Sequence, residues 1–429
     1  MYNFLNNRKI TGLILWGVLF FLVFINLVYF YLNLNSSINS NNYAFSELFI
    51  NYQAGFVRRG FLGEIFWQLN NIFLIQPKIF FSIFFFIIYI FQIFLFYKIF
   101  KKFISSKFIF LLISFSPAFL LFHIYDPNLY FIKDSIIKLS IILHAFIFIE
   151  FSNTKRQNLK YLNYLKFLIL PILFLIIITH EYQIFYLGVH FLISLSIVRK
   201  NNDINKLIKL YSVLIIPFVM VIIFLGDQAQ FENLTNILKK FNIDLNPHLG
   251  GGIYKYLGAF YKWHFFYFSY RDFLNLFFSI LLSIFVFFVL FQYLIEKKIL
   301  VLQTIFQKNY LIFFLPALIP IMLTTDHGRN ISLISFHLFA FYSILMINHK
   351  KLSSFDRKIY TNLFLKISLL IFLFFYIFLW KLDQFAGFGL QGIPNDIFQS
   401  SLFAEIIKFT KYIYQFIDLN IINLPEIKL

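Results

Sequence analysis

The fold class this sequence predicts is an all-α, polytopic transmembrane bundle of about 11 spans, and three observations carry that prediction. Hydrophobic residues make up 60% of the 429 positions and charged residues only 13%, about half the charge share of a soluble chain. Many segments run for about 18 residues or more almost without charge, enough to cross a hydrocarbon core of roughly 30 Å. The basic residues gather in alternate connectors between those segments, as orientation by the positive-inside rule requires.

Taken in order, the predicted spans are 11–33, 79–97, 108–124, 135–151, 166–180, 182–198, 208–225, 273–295, 310–324, 331–347 and 362–381. Arg8 and Lys9 precede the first apolar run and no small-residue cleavage site follows it, so it reads as an uncleaved span. Very short turns join the fifth span to the sixth and the ninth to the tenth. Pro171, Pro217, Pro316 and Pro320 fall inside spans and should kink or interrupt them. No internal repeat and no soluble domain stands out. Residues 1–381 form the bundle, and 382–429 form a tail.

With the N-terminus cytoplasmic, the inner connectors hold 22 of the 37 Lys and Arg, and the C-terminus falls outside. The same division places 15 of the 19 carboxylates and 12 of the 15 glycines on the outer side. The inner loops are short basic links, while the outer side carries the irregular, acidic chain from which sites are built. Its pieces are the loops 34–78, 125–134, 179–182, 226–272 and 324–330, and the tail. Residues 61–75 and 398–417 show apolar positions near helical spacing and fit amphipathic helices lying on the outer face.

Composition also excludes several classes. The net charge of +18 is scattered between spans rather than clustered, so no nucleic-acid partner is expected. The absence of cysteine removes disulfides and thiolate metal sites. Asp244, His248 and His264 match no ligand spacing, and Gly250–Gly252 lacks the strand and the GK[ST] of a nucleotide loop. No metal and no cofactor is expected. The Tyr, Trp and His around Lys255, Lys262 and Arg271 suit either sugar stacking with phosphate contact or an interfacial aromatic belt.

The richest stretch is Tyr43 to Leu69, which contains Glu47, Glu64, the adjacent Arg58 and Arg59, and Gly55, Gly60 and Gly63. Eight Arg against 29 Lys in the whole chain make two consecutive arginines on the less basic side notable. Their forked donors suit phosphate better than an ammonium does; lipid head groups are the other ligand such a loop would meet. Asp126 sits at the outer end of the third span, where a carboxylate before proline is either a turn former or a site residue. His180 and Glu181 form a whole turn at the hydrocarbon edge and make an acid–base pair or a substrate clamp. Asp326 and Arg329, three residues apart in a second such turn, pair with each other or face a sugar phosphate. His123, His144, His190 and His337 read as hydrogen-bonding residues between helices, and Lys138 as a lysine snorkelling outward.

The layout resembles the GT-C class of membrane glycosyltransferases and the O-antigen polymerases of bacterial surface-polysaccharide synthesis. GFVRRGFLGE (55–64), His180-Glu181 and DHGR (326–329) carry the resemblance. It implies transfer of sugar from a polyprenyl-phosphate or -pyrophosphate carrier at the outer face of a bacterial plasma membrane, with a carboxylate base near the first outer loop. Glu47 and Glu64 lie seventeen residues apart, unlike the clear acidic pair typical of that class. On this reading Arg58, Arg59, Arg271, Asp326 and Arg329 hold the carrier phosphate and sugar. Glu47, Glu64, Asp126 or Glu181, with His180, serve the acceptor hydroxyl. A lipid-linked glycan and membrane lipids are then the partners. A transporter or flippase, or a non-catalytic subunit of such a machine, is the rival class.

Overall fold

The computed structural model describes residues 8–35, 42–103, 107–125, 129–151, 157–197, 201–241, 243, 245–246, 270–296, 310–323, 326–346, 371–373, 376, 380–383 and 387–390. These residues are helical apart from connecting loops and one two-stranded hairpin.

The first span is a single helix, α1 (Arg8–Asn35). Asn26 and Asn33 do not break it, because each donates its side-chain amide to the carbonyl four residues earlier, at 2.8 Å. A short helix, α2 (Tyr43–Glu47), follows, capped by Asn42, whose Oδ1 accepts from the Phe45 N–H at 3.1 Å. The predicted amphipathic segment forms α3 (Phe61–Phe73), with Leu62, Phe66 and Trp67 buried and Ile72 and Phe73 exposed.

Helix α4 (Pro77–Phe103) is longer than its predicted span and opens on the proline, where a missing N–H costs nothing. Phe81, Phe85, Ile88 and Tyr89 point inward, while Ile79, Ile83, Ile87, Phe91 and Phe94 are exposed along the other side. A helix apolar all round, with its outer stripe bare, is built for lipid rather than water.

The predicted span 108–124 is not one helix. It consists of α5 (Lys107–Ser114), irregular chain over 115–121 and α6 (Phe122–Tyr125). Pro117 offers no N–H and disfavours helical geometry at Ser116, which hydropathy alone does not register. The broken stretch is largely buried, and side chains of neighbouring helices serve carbonyls in the chain that follows it. Tyr29 donates to Ile124 O at 2.7 Å, Tyr89 to Tyr130 O at 2.6 Å, and Gln92 to Ser135 O at 2.7 Å. Irregular backbone survives at membrane depth only where protein groups satisfy it in this way.

Helix α7 (Asp134–Phe151) is buried along most of its length. Next, α8 (Gln157–Tyr164), a π-turn (Leu165–Ile169) and α9 (Leu170–Thr179) run on as one rod. The Leu170 N–H reaches back five residues to Leu165 O. Pro171, at the start of α9, cannot donate in the α register, and the widened turn accommodates its ring. After α10 (Gln183–Ile197), the predicted span 208–225 divides into α11 (Asn201–Ser212) and α12 (Ile215–Ile223), which holds Pro217 in its first turn. Within the predicted outer loop 226–272, α13 (Gln228–Lys239) starts from a capping box of Asp227 and Gln230.

Helix α14 (Tyr270–Glu296) follows. The segment 310–314 is a 3₁₀ turn leading into α15 (Leu315–Leu323), and α16 (His327–Met346) comes next. At the predicted end of the last span, β1 (Trp380–Asp383) pairs antiparallel with β2 (Gly387–Leu390), Trp380 opposite Leu390. That hairpin replaces predicted helix at 380–381; the amphipathic helix predicted at 398–417 lies outside the described residues.

Helix α7 packs against α4, α10 and α16 and forms the centre of the bundle. Among the described residues four stretches are long and apolar enough to cross a membrane: Leu15–Leu34, Pro77–Lys101, Lys160–Thr179 and Ile204–Ile223. The chain is a helical membrane protein.

Candidate functional site

The loop after α2 owes its shape to two glycines and a glutamate. Gly55 has φ +108°, open to glycine at little cost. Gly63 lies so near the preceding strand of loop that a Cβ there would stand 2.1 Å from Ile50 O. Glu64 then ties the loop down, accepting from the Tyr52 N–H at 3.0 Å and from the side chains of Gln53 and Gln68. Glu64 therefore stands in a local clasp, apart from the other candidate residues.

The loop thus folded turns Arg58 and Arg59 inward. Arg59 has φ +65°, a left-handed conformation uncommon for a side-chain-bearing residue. Its guanidinium is shared by two carboxylates. Nε donates to both Glu181 oxygens at 3.0 and 2.9 Å, Nη2 also donates to Glu181, and Nη1 donates to Glu47 at 2.8 Å. Arg58 Nη1 lies 3.5 Å from the same Glu181 carboxylate. The Tyr182 ring faces Arg59 Cζ at 5.9 Å.

A second clamp adjoins the first. Asp134, the opening residue of α7, accepts from Arg329 Nε at 2.9 Å and from Nη2 at 3.0 Å, a two-pronged pairing. The remaining Arg329 nitrogen donates to Asp326 at 2.6 Å. His180 Nε2 lies 3.1 Å from Asp134 Oδ1, while its Nδ1 accepts a long bond from the Tyr182 N–H at 3.4 Å. The same Nε2 lies 3.2 Å from Arg329 Nη2, so the imidazole sits between the aspartate and the arginine. Lys133 joins the clamps by donating to Arg59 O at 2.9 Å.

Glu47, Arg58, Lys133, Asp134, His180, Glu181 and Arg329 are all at most 6% exposed. Burial alone would raise the Glu47 carboxyl, but Lys133 and then Arg59 outweigh it and hold the group at about 2. For Glu181 burial is likewise opposed, by Arg59 and Arg58, and the net shift is downward. Asp134 is held low chiefly by Arg329 against its burial. Lys133 is pushed down to about 8 by burial, with Glu47 pulling the other way. Four carboxylates thus face Arg58, Arg59, Arg329 and Lys133 one for one. Lys138 lies a turn deeper with its ammonium 4.3 Å from the centre of the Phe122 ring. It is buried rather than snorkelling outward as predicted.

Of the residues singled out from sequence, Glu47, Arg58, Arg59, His180, Glu181, Asp326 and Arg329 come together. Glu64 does not. Asp126 lies outside the described residues, as do Asp244 and His248, His264 and the side chain of Arg271, itself in the first turn of α14. Lys133 and Asp134 were missed, because Asp126 drew attention in the same loop. The available signal was a Lys-Asp pair opening an apolar span. Among the described residues no three His, Cys, Asp or Glu are grouped to hold a metal ion.

Fold and site together define a helical membrane protein with two interlocked arginine–carboxylate clamps at one end of its bundle. Compared with family models, curated proteins and solved structures, the chain matches none of them.

Proposed function

We infer that this protein is an integral membrane glycosyltransferase or polysaccharide polymerase. On this reading it takes sugar from a polyprenyl-phosphate- or pyrophosphate-linked donor at the extracytoplasmic face of a bacterial plasma membrane. The eleven-span layout, with the N-terminus inside, the C-terminus outside and amphipathic helices on the outer face, belongs to the same reading. One observation carries it: four segments remote in sequence bring together three arginines, a lysine and four carboxylates, most of them buried. Every one of these residues lies where alternation of the spans puts the outer side. Buried, strongly perturbed ionisable groups gathered at helix ends are the pattern of a functional site.

The chemistry follows from competition for the guanidinium groups. Paired carboxylates with depressed pKa values are weak bases. A phosphate drawn to Arg58 and Arg59 displaces Glu181 from them. Glu181, still buried, then loses the cations that kept its proton affinity low, and accepts the proton of the acceptor hydroxyl. The arginines stabilise the charge that develops on the departing phosphate, the larger contribution to rate. Substrate binding itself arms the base.

The buried break at 115–121 favours a second reading, a carrier that moves the same lipid-linked glycan, since interrupted helices line transport paths. One comparison separates the two. Cells lacking the protein are complemented with wild type, Arg59→Lys or Glu181→Gln, and their lipid-linked glycans are profiled on each face. A transferase predicts a short glycan accumulating on the outer face, cleared by wild type alone. Accumulation on the inner face supports the carrier, and an unchanged profile removes both.

A further inference from the structure

Below the clamps, a second set of buried polar side chains runs through the bundle. Tyr211 on α11 meets Ser194 Oγ at 2.9 Å, Ser194 meets the Tyr161 hydroxyl at 2.8 Å, and Tyr161 meets His144 Nε2 at 2.7 Å. His144 Nδ1 in turn lies 2.9 Å from His190 Nδ1. The five residues come from α7, α8, α10 and α11, and all but Tyr211 are fully buried. Only one of two facing ring nitrogens can carry the proton, so the chain has two internally consistent polarities. In one, every donor points from Tyr211 towards His144, and His144 donates to His190. In the other, every bond is reversed. A file of alternating donors and acceptors with two polarities is the arrangement along which a proton hops.

The file continues towards the clamps. His337 Nδ1 donates to Leu333 O at 2.7 Å, which leaves Nε2 as an acceptor. Among the described residues neither His337 Nε2, His190 Nε2 nor the Tyr186 hydroxyl has a hydrogen-bond partner, though all are buried. The His190 and His337 rings are 6.0 Å apart, and Tyr186 stacks on His337 at 4.4 Å. A proton passes that step when a ring rotates or a water enters. Tyr186 is in the first turn of α10, five residues after Glu181. His144 and His337 each sit ten residues beyond Asp134 and His327, about 15 Å into the bundle at 1.5 Å per residue. Tyr211, at the other end of the hydrogen-bonded file, is seven residues inside the apolar stretch Ile204–Ile223.

Packing between helices asks for polar pairs and gives no reason for a linked file of five. We propose that Tyr211, Ser194, Tyr161, His144, His190, His337 and Tyr186 conduct protons between the two faces of the membrane. One proton enters at one end as another leaves at the far end, and no covalent bond other than N–H and O–H changes. The inference does not depend on the glycosyltransferase reading, and its test involves no glycan.

The full chain is reconstituted into phosphatidylethanolamine–phosphatidylglycerol vesicles holding a pH-sensitive dye, and a potassium gradient with valinomycin sets the voltage. Voltage-driven acidification faster than in empty vesicles is expected for wild type. Ser194 keeps a long contact of its own to His144 at 3.5 Å, so the main variant combines Tyr161→Phe with Ser194→Ala; its flux should fall to that of empty vesicles. His144→Gln should lose flux as well. Thermal unfolding in detergent verifies that each variant is folded. Wild-type flux no greater than that of empty vesicles overturns the proposal, and so does undiminished flux in the folded variants.

Discussion

Arg59 and Glu181, 122 residues apart in the chain, are joined by the Arg59 Nε–H donating to both carboxylate oxygens at 3.0 and 2.9 Å. The same guanidinium holds Glu47 with Nη1. One side chain therefore neutralises two buried carboxylates from different segments. Replacing it leaves Glu47 without its hydrogen-bonded partner and Glu181 with only Arg58, 3.5 Å away. Arg59→Ala should destabilise the protein by about 3–5 kcal/mol, the usual cost of breaking a buried pair from one side. Glu181→Gln added to Arg59→Ala should restore part of that loss. Thermal unfolding of the four proteins of this cycle in detergent measures both effects.

The local role of Glu64 makes a contrasting prediction. Its carboxylate holds the Tyr52 N–H and Gln53 in the first loop, and a glutamine oxygen can still accept from the backbone. Glu64→Gln should leave glycan transfer near wild type, whereas Glu64→Ala should loosen residues 51–55 at a cost of about 1–3 kcal/mol. Limited proteolysis reads the loop, and glycan profiling reads the activity. Loss of activity in Glu64→Gln with an intact loop would return Glu64 to the list of bases.

Two glycines should behave oppositely. A Cβ at Gly63 would meet the carbonyl oxygens of Ile50 and Leu48 at 2.1 and 2.7 Å, backbone atoms that cannot step aside. Gly63→Ala should therefore abolish folded protein. Gly17, inside α1, has nothing within 4 Å of that position, and Gly17→Ala should stabilise by about 0.5–1 kcal/mol through helix propensity. Yield and unfolding temperature in detergent check both.

Lys133 gives a pH dependence with a definite sign. Its folded pKa of about 8 lies below the 10.5 of the free side chain. Between those values the unfolded chain binds more protons than the folded one, so stability rises as pH goes from 8 to 10.5. Below pH 8 the full penalty of about 3 kcal/mol applies. Glu47 gives a slope of the same sign at the acid end: its contribution is complete above 4.5 and is lost as pH falls from 4.5 towards 2. Unfolding temperature against pH should show a rise between 8 and 10.5 in wild type that is absent in Lys133→Met.

The membrane bundle was legible because lipid demands long uncharged runs, and α1 and α4 supply them with few interruptions. The clamps were legible in part because charge is expensive at a hydrocarbon edge, so Arg58, Arg59, His180, Glu181 and Arg329 stood out. Which carboxylate met which arginine was not, since Asp134 and Arg329 are brought together only by the packing of α7 against α16. Breaks inside apolar runs were also hidden. Ser116 and Pro117 change hydropathy little but interrupt the helix, and Tyr29 and Tyr89 from other helices donate to Ile124 O and Tyr130 O further along. Hairpin β1–β2 gave no signal either, because Trp380 and Leu382 suit a strand or a helix equally.

The separation of Asp134 from Arg329, 195 residues along the chain, also sets a timetable for the protein's own synthesis. At about 5–20 residues per second a ribosome needs roughly 10–40 seconds to supply the arginine after the aspartate has been made. Throughout that interval the start of α7 carries a carboxylate whose eventual partner does not yet exist. The nascent bundle must keep this corner wet, or lodged against the insertion machinery, until α16 arrives. Closure of the second clamp is thus a late event in assembly, and a chain truncated before α16 should be a ready substrate for membrane proteases.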